Sequence, residues 1–189
     1  PGVLAGVVRR RWRLCIGDGL WLVQECRRAW AAQGNEYSSA DLAEQAAAAE
    51  PYVSVLNPSD PRFLAPDDMP HRIADTCRET GQPIPGTPGA VVRCALESLS
   101  LLYARTLRES EKLVGWRANT VHVVGGGSRN ELLNQLTADA ANIRVVAGPA
   151  EATASGNILV QAIAAGAVRD LAEAREIGRN PFDTQTSAP

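Results

Sequence analysis

The sequence lacks the features that mark several large classes of protein. Its 189 residues contain no apolar run near the roughly 20 residues that a helix needs to cross a bilayer. Nineteen basic and 21 acidic side chains leave a net charge of −2, whereas general nucleic-acid binders carry a basic excess. No apolar stretch follows the arginines near the start, so no signal peptide is predicted. We therefore expect a soluble, cytoplasmic protein that binds neither membranes nor nucleic acid.

Metal-ligating side chains are few and scattered. The four cysteines fit no C-x-x-C spacing and the two histidines stand alone, at Cys15, Cys26, Cys77, Cys94, His71 and His122. A zinc site requires clustered ligands, so the sequence predicts no metal held by protein side chains alone. In a reducing cytoplasm such cysteines are expected to remain thiols, often buried.

Hydrophobic periodicity predicts mainly helices in the first part of the chain. The predicted helices are residues 19–33, 38–49, 69–80 and 87–115, the second capped by Ser38 or Ser39 and the last opened by Thr87 and Pro88. A proline-rich loop at residues 57–70 separates the second helix from the third. Within this loop Phe63 and Leu64 are expected to be buried anchors.

Beyond Gly115 the pattern changes to alternating strands and helices. Strands are predicted at 120–124 and 143–146, and helices at 130–141, 151–166 and 170–177. The tail through Ser187 is expected to fray. The order helix–strand–helix–strand–helix indicates an α/β fold, and the length allows one domain or at most two small ones.

The most informative stretch is the glycine turn, residues 125–130, with the sequence GGGSRN. A strand that runs into glycines and then a helix brings bare backbone to the carboxyl end of a sheet, where α/β folds bind ligands. The start of the helix also offers N–H groups suited to phosphate or a ribose hydroxyl. Such turns are also frequent without any ligand, so both interpretations stay open on the glycines alone.

A dinucleotide-binding fold is one interpretation of this turn. It requires the pattern G-x-G-x-x-G and an acidic residue about 20 positions further on. Here Asn130 replaces the last glycine, and the following strand ends in VVAG at 145–148, without an acid. The sequence therefore meets only part of the requirements for a dinucleotide-dependent oxidoreductase.

The glycine turn and its flanking motifs resemble the FGGY carbohydrate kinases, and among them the rhamnulokinases. The matching stretches are GLWLVQ at 19–24, the loop 57–63, CRETGQPIP at 77–85, GGGSRN at 125–130, LLNQ at 132–135, ADA at 138–140, VVAGP at 145–149, EAT at 151–153 and GN at 156–157. The resemblance runs in order from Gly19 to about Phe182 and corresponds to the C-terminal part of such an enzyme. It implies a ribonuclease-H-like, actin-like ATPase fold, truncated to a C-terminal domain at 19–182. Residues 1–18 match poorly, and 183–189 form a tail.

The resemblance implies ATP-dependent phosphorylation of L-rhamnulose to L-rhamnulose 1-phosphate, with Mg²⁺ bound to the nucleotide. By position, Gly126 and Gln24 match family ATP contacts, and Gly127 and Asn130 adjoin Gly126 in the turn. Without the resemblance, Gln24 has the pattern of an exposed helical glutamine. Arg129 either stacks on an adenine or points into water. Related rhamnulokinases carry a cysteine pair like Cys77 and Cys94, for which a disulfide and two packed thiols both stay open.

Two departures limit what the chain is expected to do alone. Ile16 stands where the family has an asparagine that contacts the nucleotide. In family members, an N-terminal kinase domain precedes the part that this chain resembles. That domain holds most sugar contacts, the first phosphate loop and the catalytic aspartate. No aspartate here, Asp18, Asp67 and Asp68 included, has the family's Gly-x-His-Asp setting, so no catalytic residue is assigned. The chain alone is expected to be inactive, and a non-catalytic nucleotide-binding or interaction module is the alternative.

Overall fold

The computed structural model describes residues 3–4, 14–15, 20–65, 67–179 and 185–189 of the chain. They form two units, the helical unit (Pro1–Glu109) and the sheet unit (Ser110–Pro189). The first is built mainly from helices, and the second combines helices with a three-stranded sheet. The architecture is therefore mixed α/β and rich in helix, as the sequence pattern predicts. No helix in the described part of the chain is long and apolar enough to span a membrane.

The helices of the helical unit follow the predicted ones closely. Two short strands, β1 (Val3–Leu4) and β2 (Leu14–Cys15), pair antiparallel ahead of them. The helices are α1 (Trp21–Ala32), α2 (Ser39–Ala48), α3 (Met69–Glu79) and α4 (Pro88–Val114), of which residues 88–109 belong to this unit. Their bounds lie within two residues of the predicted ones, which is the usual uncertainty at helix ends.

Side-chain caps explain where two of these helices begin. Ser38 Oγ accepts a hydrogen bond from Asp41 N at 3.1 Å, and Asp41 Oδ2 accepts one from Ser38 N at 3.0 Å. This reciprocal pair is a complete capping box, so Ser38 rather than Ser39 caps α2. In front of α4, Thr87 Oγ1 accepts from Ala90 N at 3.2 Å. The predicted cap and the following proline therefore set the start of the longest helix.

The core of the helical unit combines side chains from its helices with one from the proline-rich loop. Its most buried members include Leu22, Cys26, Leu42, Phe63, Met69, Ile73, Cys77, Leu96 and Leu99. Phe63 is buried as predicted, and its carbonyl oxygen accepts a hydrogen bond from Trp21 Nε1 at 2.9 Å. The prediction for Leu64 is wrong, since this side chain is 65% exposed. The 3₁₀ helix Pro61–Phe63 ends just before it and directs only Phe63 inward.

A buried ion pair ties α4 to the end of α2. Arg93 Nε lies 2.6 Å from Glu97 Oε1, and Glu97 is 1% exposed. The other carboxylate oxygen accepts from Tyr52 N at 2.9 Å, and Arg93 Nη1 donates to the Ala46 carbonyl at 3.1 Å. Both charged groups therefore have the hydrogen-bond partners that burial of a charge requires.

The sheet unit alternates strands and helices in the predicted order. Its elements are β3 (Thr120–Val123), α5 (Glu131–Ala141), β4 (Arg144–Ala147), α6 (Ala152–Ala164), α7 (Leu171–Arg179) and β5 (Gln185–Ser187). The sheet order is β3-β4-β5. Strands β3 and β4 pair in parallel, with Val121 opposite Val145, so that β3, α5 and β4 form a βαβ unit.

The strand β5 corrects the expectation that the tail frays. It pairs antiparallel with β4, placing Thr186 opposite Val146. Two glutamines link this segment to α5, because Gln135 Nε2 donates to the Ala188 carbonyl at 2.7 Å and Gln185 Nε2 donates to Glu131 Oε1 at 3.1 Å. Backbone pairing along the edge of β4 holds this strand. Its sequence, QTS, has no hydrophobic pattern from which a strand could be predicted.

The two helices that flank β4 along the chain differ in burial. Helix α5 buries Leu133, Asn134, Leu136, Thr137 and Ala138. Helix α6 contains no charged residue, yet none of its described side chains is buried. Ile158 and Val160 are 66% and 60% exposed. Because an apolar helix normally buries one face, α6 presents an apolar surface that the sheet unit does not cover.

Candidate functional site

The glycine turn lies where the two parallel strands of the sheet end. Gly125 N donates to the Pro149 carbonyl at 3.2 Å, and Gly148 N donates to the Val123 carbonyl at 2.7 Å. These bonds join the segment after β3 to the segment after β4. Gly125 has φ +86° and ψ −173°, a backbone conformation that side-chain-bearing residues rarely adopt. The turn thus occupies the carboxyl edge of the sheet, the usual ligand side of α/β folds.

The rest of the turn leads directly into α5. Residues Gly126–Arg129 form a 3₁₀ helix, and Asn130 N donates to the Gly127 carbonyl at 3.1 Å. The Asn130 side chain then caps α5, with Oδ1 accepting from Leu133 N at 2.9 Å. Asn130 therefore shapes the junction between turn and helix, a role that its residue type favours.

Two buried polar side chains hold the turn from behind. Ser128, 4% exposed, donates from Oγ to the Gly125 carbonyl at 2.8 Å. Asn134, 3% exposed, donates from Nδ2 to the Ser128 carbonyl at 2.8 Å. Sequence reasoning did not select either residue. The available signal was the position of Asn134, a polar residue within the apolar face of α5 beside Leu133 and Leu136.

The opposite side of the turn is open. A Cβ atom added at Gly126 or Gly127 would meet no neighbouring atom within 4 Å. Val124 is 50% exposed and Arg129 is exposed beside them. The turn therefore combines an anchored rear face with an unobstructed front face, where a ligand can approach the main chain.

The predicted site residues fall in both units. Gly126, Gly127 and Asn130 lie together in the glycine turn. Gln24 belongs to the helical unit, where its side chain is exposed on α1. Ile16, which replaces the expected asparagine, lies outside the described residues.

Asp67, Asp68 and Asp139 each accept a hydrogen bond from a neighbouring group of the protein. Asp67 Oδ2 accepts from Arg72 Nη2 at 3.0 Å, and its pKa is lowered by the Asp68 main-chain amide and then by this guanidinium. Asp68 accepts from His71 N at the start of α3. Asp139 is exposed and accepts from Gln135 at 2.8 Å. Asp18 lies outside the described residues.

Three cysteines of the helical unit are buried thiols. Cys26, Cys77 and Cys94 are free, and each is 2% exposed or less. Burial raises the pKa of Cys94 to about 11, and it raises the pKa of Cys26 further. Cys77 and Cys94 therefore are two packed thiols rather than a disulfide. Within the described residues no three His, Cys, Asp or Glu side chains are grouped to hold a metal ion.

Comparison with known proteins decides the family of the chain. The FGGY family of carbohydrate kinases, C-terminal domain, matches residues 15–165. The chain belongs to this family. The matched segment includes the glycine turn and both parallel strands, and it corresponds to the C-terminal part of an FGGY kinase.

Curated relatives agree with this assignment. The chain is 42% identical to rhamnulokinase of Bacteroides thetaiotaomicron over 188 residues, which cover 100% of the chain and 37% of the relative. It is 42% identical to rhamnulokinase of Bacillus subtilis over 171 residues, covering 90% of the chain and 35% of that relative. For rhamnulokinase of Enterococcus faecalis the identity is 44% over 169 residues, covering 88% and 34%. The chain thus spans just over one third of the length of these FGGY kinases.

Proposed function

We propose that this chain is the ATP-binding part of an FGGY kinase that phosphorylates L-rhamnulose to L-rhamnulose 1-phosphate. The observation that carries the proposal is the open, anchored glycine turn at the carboxyl ends of two parallel strands, in a chain similar to rhamnulokinases. In the proposed assignment the domain covers residues 19–182 and has the ribonuclease-H-like, actin-like ATPase fold. Its βαβ unit and helix-rich composition are compatible with that fold.

The proposed nucleotide contacts are Gly126, Gly127, Asn130 and Gln24. The two glycines offer main-chain atoms without side-chain obstruction, which lets a planar base or a ribose lie against the turn. Asn130 fixes the start of α5 through its cap. Gln24 is exposed on α1 and therefore accessible as a hydrogen-bonding partner.

Phosphoryl transfer divides the chemical work between this chain and the rest of the enzyme. A sugar hydroxyl oxygen forms a bond to the γ-phosphorus as the bond to the ADP oxygen breaks, and a base accepts the hydroxyl proton. Mg²⁺ carried by the nucleotide would supply neutralisation of the phosphate charge. This chain's residues would bind and orient the nucleotide, while the base and the sugar contacts come from an N-terminal kinase domain.

Two features of the sheet unit support the need for that partner domain. Within the described residues β3 pairs only with β4, and α6 leaves Ile158 and Val160 exposed. An open strand edge and an apolar helix face are surfaces that proteins normally cover. We therefore propose that an N-terminal kinase domain accompanies this chain, in the cytoplasm, where ATP and reduced thiols coexist.

The nucleotide assignment is tested by the substitution Gly126→Val. A side chain at this position fits without internal contact, so the protein stays folded while the valine occupies the open face. Calorimetric titration with MgATP should show weak binding to the wild-type chain and at least about tenfold weaker binding to the variant. Gly86→Val is the matched control, because Gly86 is also exposed and unobstructed but lies in the helical unit. Equal affinities of wild type and a folded Gly126→Val chain would refute the assignment.

A second experiment tests the division of chemical work. In a coupled ADP-release assay with ATP, Mg²⁺ and L-rhamnulose, the 189-residue chain should turn over at background rate, because it holds no assigned catalytic base. A chain extended at its N-terminus by a rhamnulokinase N-terminal domain should gain rhamnulose-dependent turnover. Turnover on the order of 1 s⁻¹ by the 189-residue chain alone would contradict the proposal and return attention to Asp18, Asp67, Asp68 and Asp139.

A further inference from the structure

We propose that Asn134 is a positioning residue for nucleotide binding: its buried amide holds the glycine turn in the shape that exposes Gly126 and Gly127. This inference rests on the proposed function, because it concerns how the same turn is kept ready for a nucleotide. Asn134 itself lies behind the turn and is not proposed to touch the nucleotide. It acts on the Ser128 carbonyl, which it reaches with Nδ2 at 2.8 Å.

The glycine turn needs an external support because its own structure is slight. It contains three consecutive glycines, and its 3₁₀ helix extends over only four residues, Gly126–Arg129. Glycine loses more conformational entropy on ordering than any other residue, and short 3₁₀ helices have poor hydrogen-bond geometry. A turn of this composition is therefore expected to sample several conformations unless other groups fix it.

Asn134 provides this support from a rigid element. It lies on the buried face of α5, whose neighbouring side chains Leu133 and Leu136 are each 5% exposed. The Ser128 carbonyl can only accept a hydrogen bond, so the amide nitrogen of Asn134 must face it. Ser128 then passes the restraint on, since its Oγ donates to the Gly125 carbonyl at 2.8 Å. The chain of bonds from Asn134 through Ser128 to Gly125 spans the rear of the turn.

The chemistry of the position favours this role over simple packing. A buried amide is unfavourable unless it is hydrogen-bonded, so a leucine would fill the space at lower cost if filling space were the only requirement. Thr137 makes the comparison clear, because it is also buried on α5 but donates to the Leu133 carbonyl of its own helix at 2.7 Å. Of these two buried polar side chains, Asn134 is the one that bonds to the turn.

The test compares Asn134→Leu with the matched control Thr137→Val. Both substitutions remove a buried polar group from the same helix, but only the first removes a bond to the turn. Two readouts are measured on the 189-residue chain: hydrogen exchange of the amides of residues 126–130, and MgADP affinity by calorimetry. Asn134→Leu should accelerate hydrogen exchange in the turn and weaken MgADP binding about tenfold. A tenfold change in affinity corresponds to the typical net contribution of about one hydrogen bond. Thr137→Val should change neither readout by more than about twofold.

The other possible results of these measurements also decide whether Asn134 positions the turn. Unchanged exchange at residues 126–130 in a folded Asn134→Leu chain would overturn it, as would faster exchange with undiminished MgADP affinity. If Asn134→Leu does not fold, Asn134→Asp replaces it, since it keeps the shape but presents an acceptor to the Ser128 carbonyl, and the same two readouts apply. If the wild-type chain does not bind MgADP, the proposed function fails, and the exchange measurement alone then decides whether Asn134 orders the turn.

Discussion

The helical unit and the sheet unit differ in how fully each covers its own side chains. In the helical unit, Leu96, Leu99 and even the charged carboxylate of Glu97 are buried to 1% exposure or less. In the sheet unit, α6 has no buried described side chain, and the glycine turn keeps an open face. The first region therefore gains its stability internally, whereas the second leaves an apolar helix face and the front of the glycine turn uncovered. Substitutions in the two regions should accordingly differ in their effect on stability.

The largest effect is expected from Glu97→Ala in the helical unit. The substitution leaves the Arg93 guanidinium, whose side chain is 12% exposed, without its carboxylate partner, and it removes the acceptor for Tyr52 N. Breaking a buried ion pair in this way costs about 3–5 kcal/mol of unfolding free energy. Urea denaturation followed by circular dichroism measures the change.

The same helix offers the control for this prediction. Arg105 and Glu109 repeat the i,i+4 spacing at 2.7 Å, but both side chains are more than half exposed. Glu109→Ala should therefore leave the denaturation midpoint almost unchanged, because exposed pairs are screened by water. Similar losses from Glu97→Ala and Glu109→Ala would show that burial of the pair is not what stabilises this unit.

A glycine-to-alanine pair gives effects of opposite sign in the two units. A Cβ added at Gly89 in α4 would lie 2.6 Å from the Gln45 carbonyl oxygen in α2, so Gly89→Ala forces backbone apart. Overpacking of this kind costs about 1–3 kcal/mol. Gly156 in α6 has no neighbour within 4 Å of an added Cβ, so Gly156→Ala should stabilise by about 0.5–1 kcal/mol through helix propensity.

Thermal and urea denaturation of both variants measure this contrast. The expected result is a lower midpoint for Gly89→Ala and an equal or higher midpoint for Gly156→Ala. A lower midpoint for Gly156→Ala would mean that α6 is packed more tightly than its exposure indicates, and it would weaken the comparison between the units.

Sequence reasoning located the helices because their signals are local. The Ser38 cap, the Thr87–Pro88 start and the glycine after each of α3 and α4 act within one turn of backbone, so the sequence alone carries them. The predictions for Leu64 and for the tail were wrong because the orientation of Leu64 and the pairing of β5 depend on structure that their neighbouring residues do not specify. The rotation of a 3₁₀ helix settles the first, and pairing with β4 settles the second.

The candidate site follows the same division. The glycine turn between a strand and a helix was predicted from adjacent residues, and the structure has it, whereas the cap that Asn130 makes on α5 was not predicted. Asn134 and Ser128 were missed because their bond joins residues six positions apart across a turn whose shape the sequence does not specify. The nucleotide contacts of Gln24, Gly126, Gly127 and Asn130 stay predictions.

The last predicted effect concerns the buried thiol of Cys94 and the dependence of stability on pH. Burial raises its pKa in the folded protein to about 11 from an ordinary value of 9.0, so the folded state keeps the proton that the unfolded state loses. The stability that results is complete below about pH 9 and is lost as pH rises from 9 towards 11. At pH 10 the loss attributable to this one thiol is on the order of 1 kcal/mol. Urea denaturation of wild type and Cys94→Ala at pH 7 and pH 10 isolates it.

The measured quantity is the difference in unfolding free energy between wild type and Cys94→Ala at each pH. Other groups titrate in this range, but they are common to both proteins and cancel in the comparison. Cys94→Ala should lower stability at pH 7, because a buried side chain is truncated, and the gap to wild type should narrow at pH 10 by roughly 1 kcal/mol. A gap that stays constant between the two pH values would mean that the Cys94 thiol ionises as readily in the folded chain as in the unfolded one. The helical unit would then be more open to water at this position than a 2% exposed side chain implies.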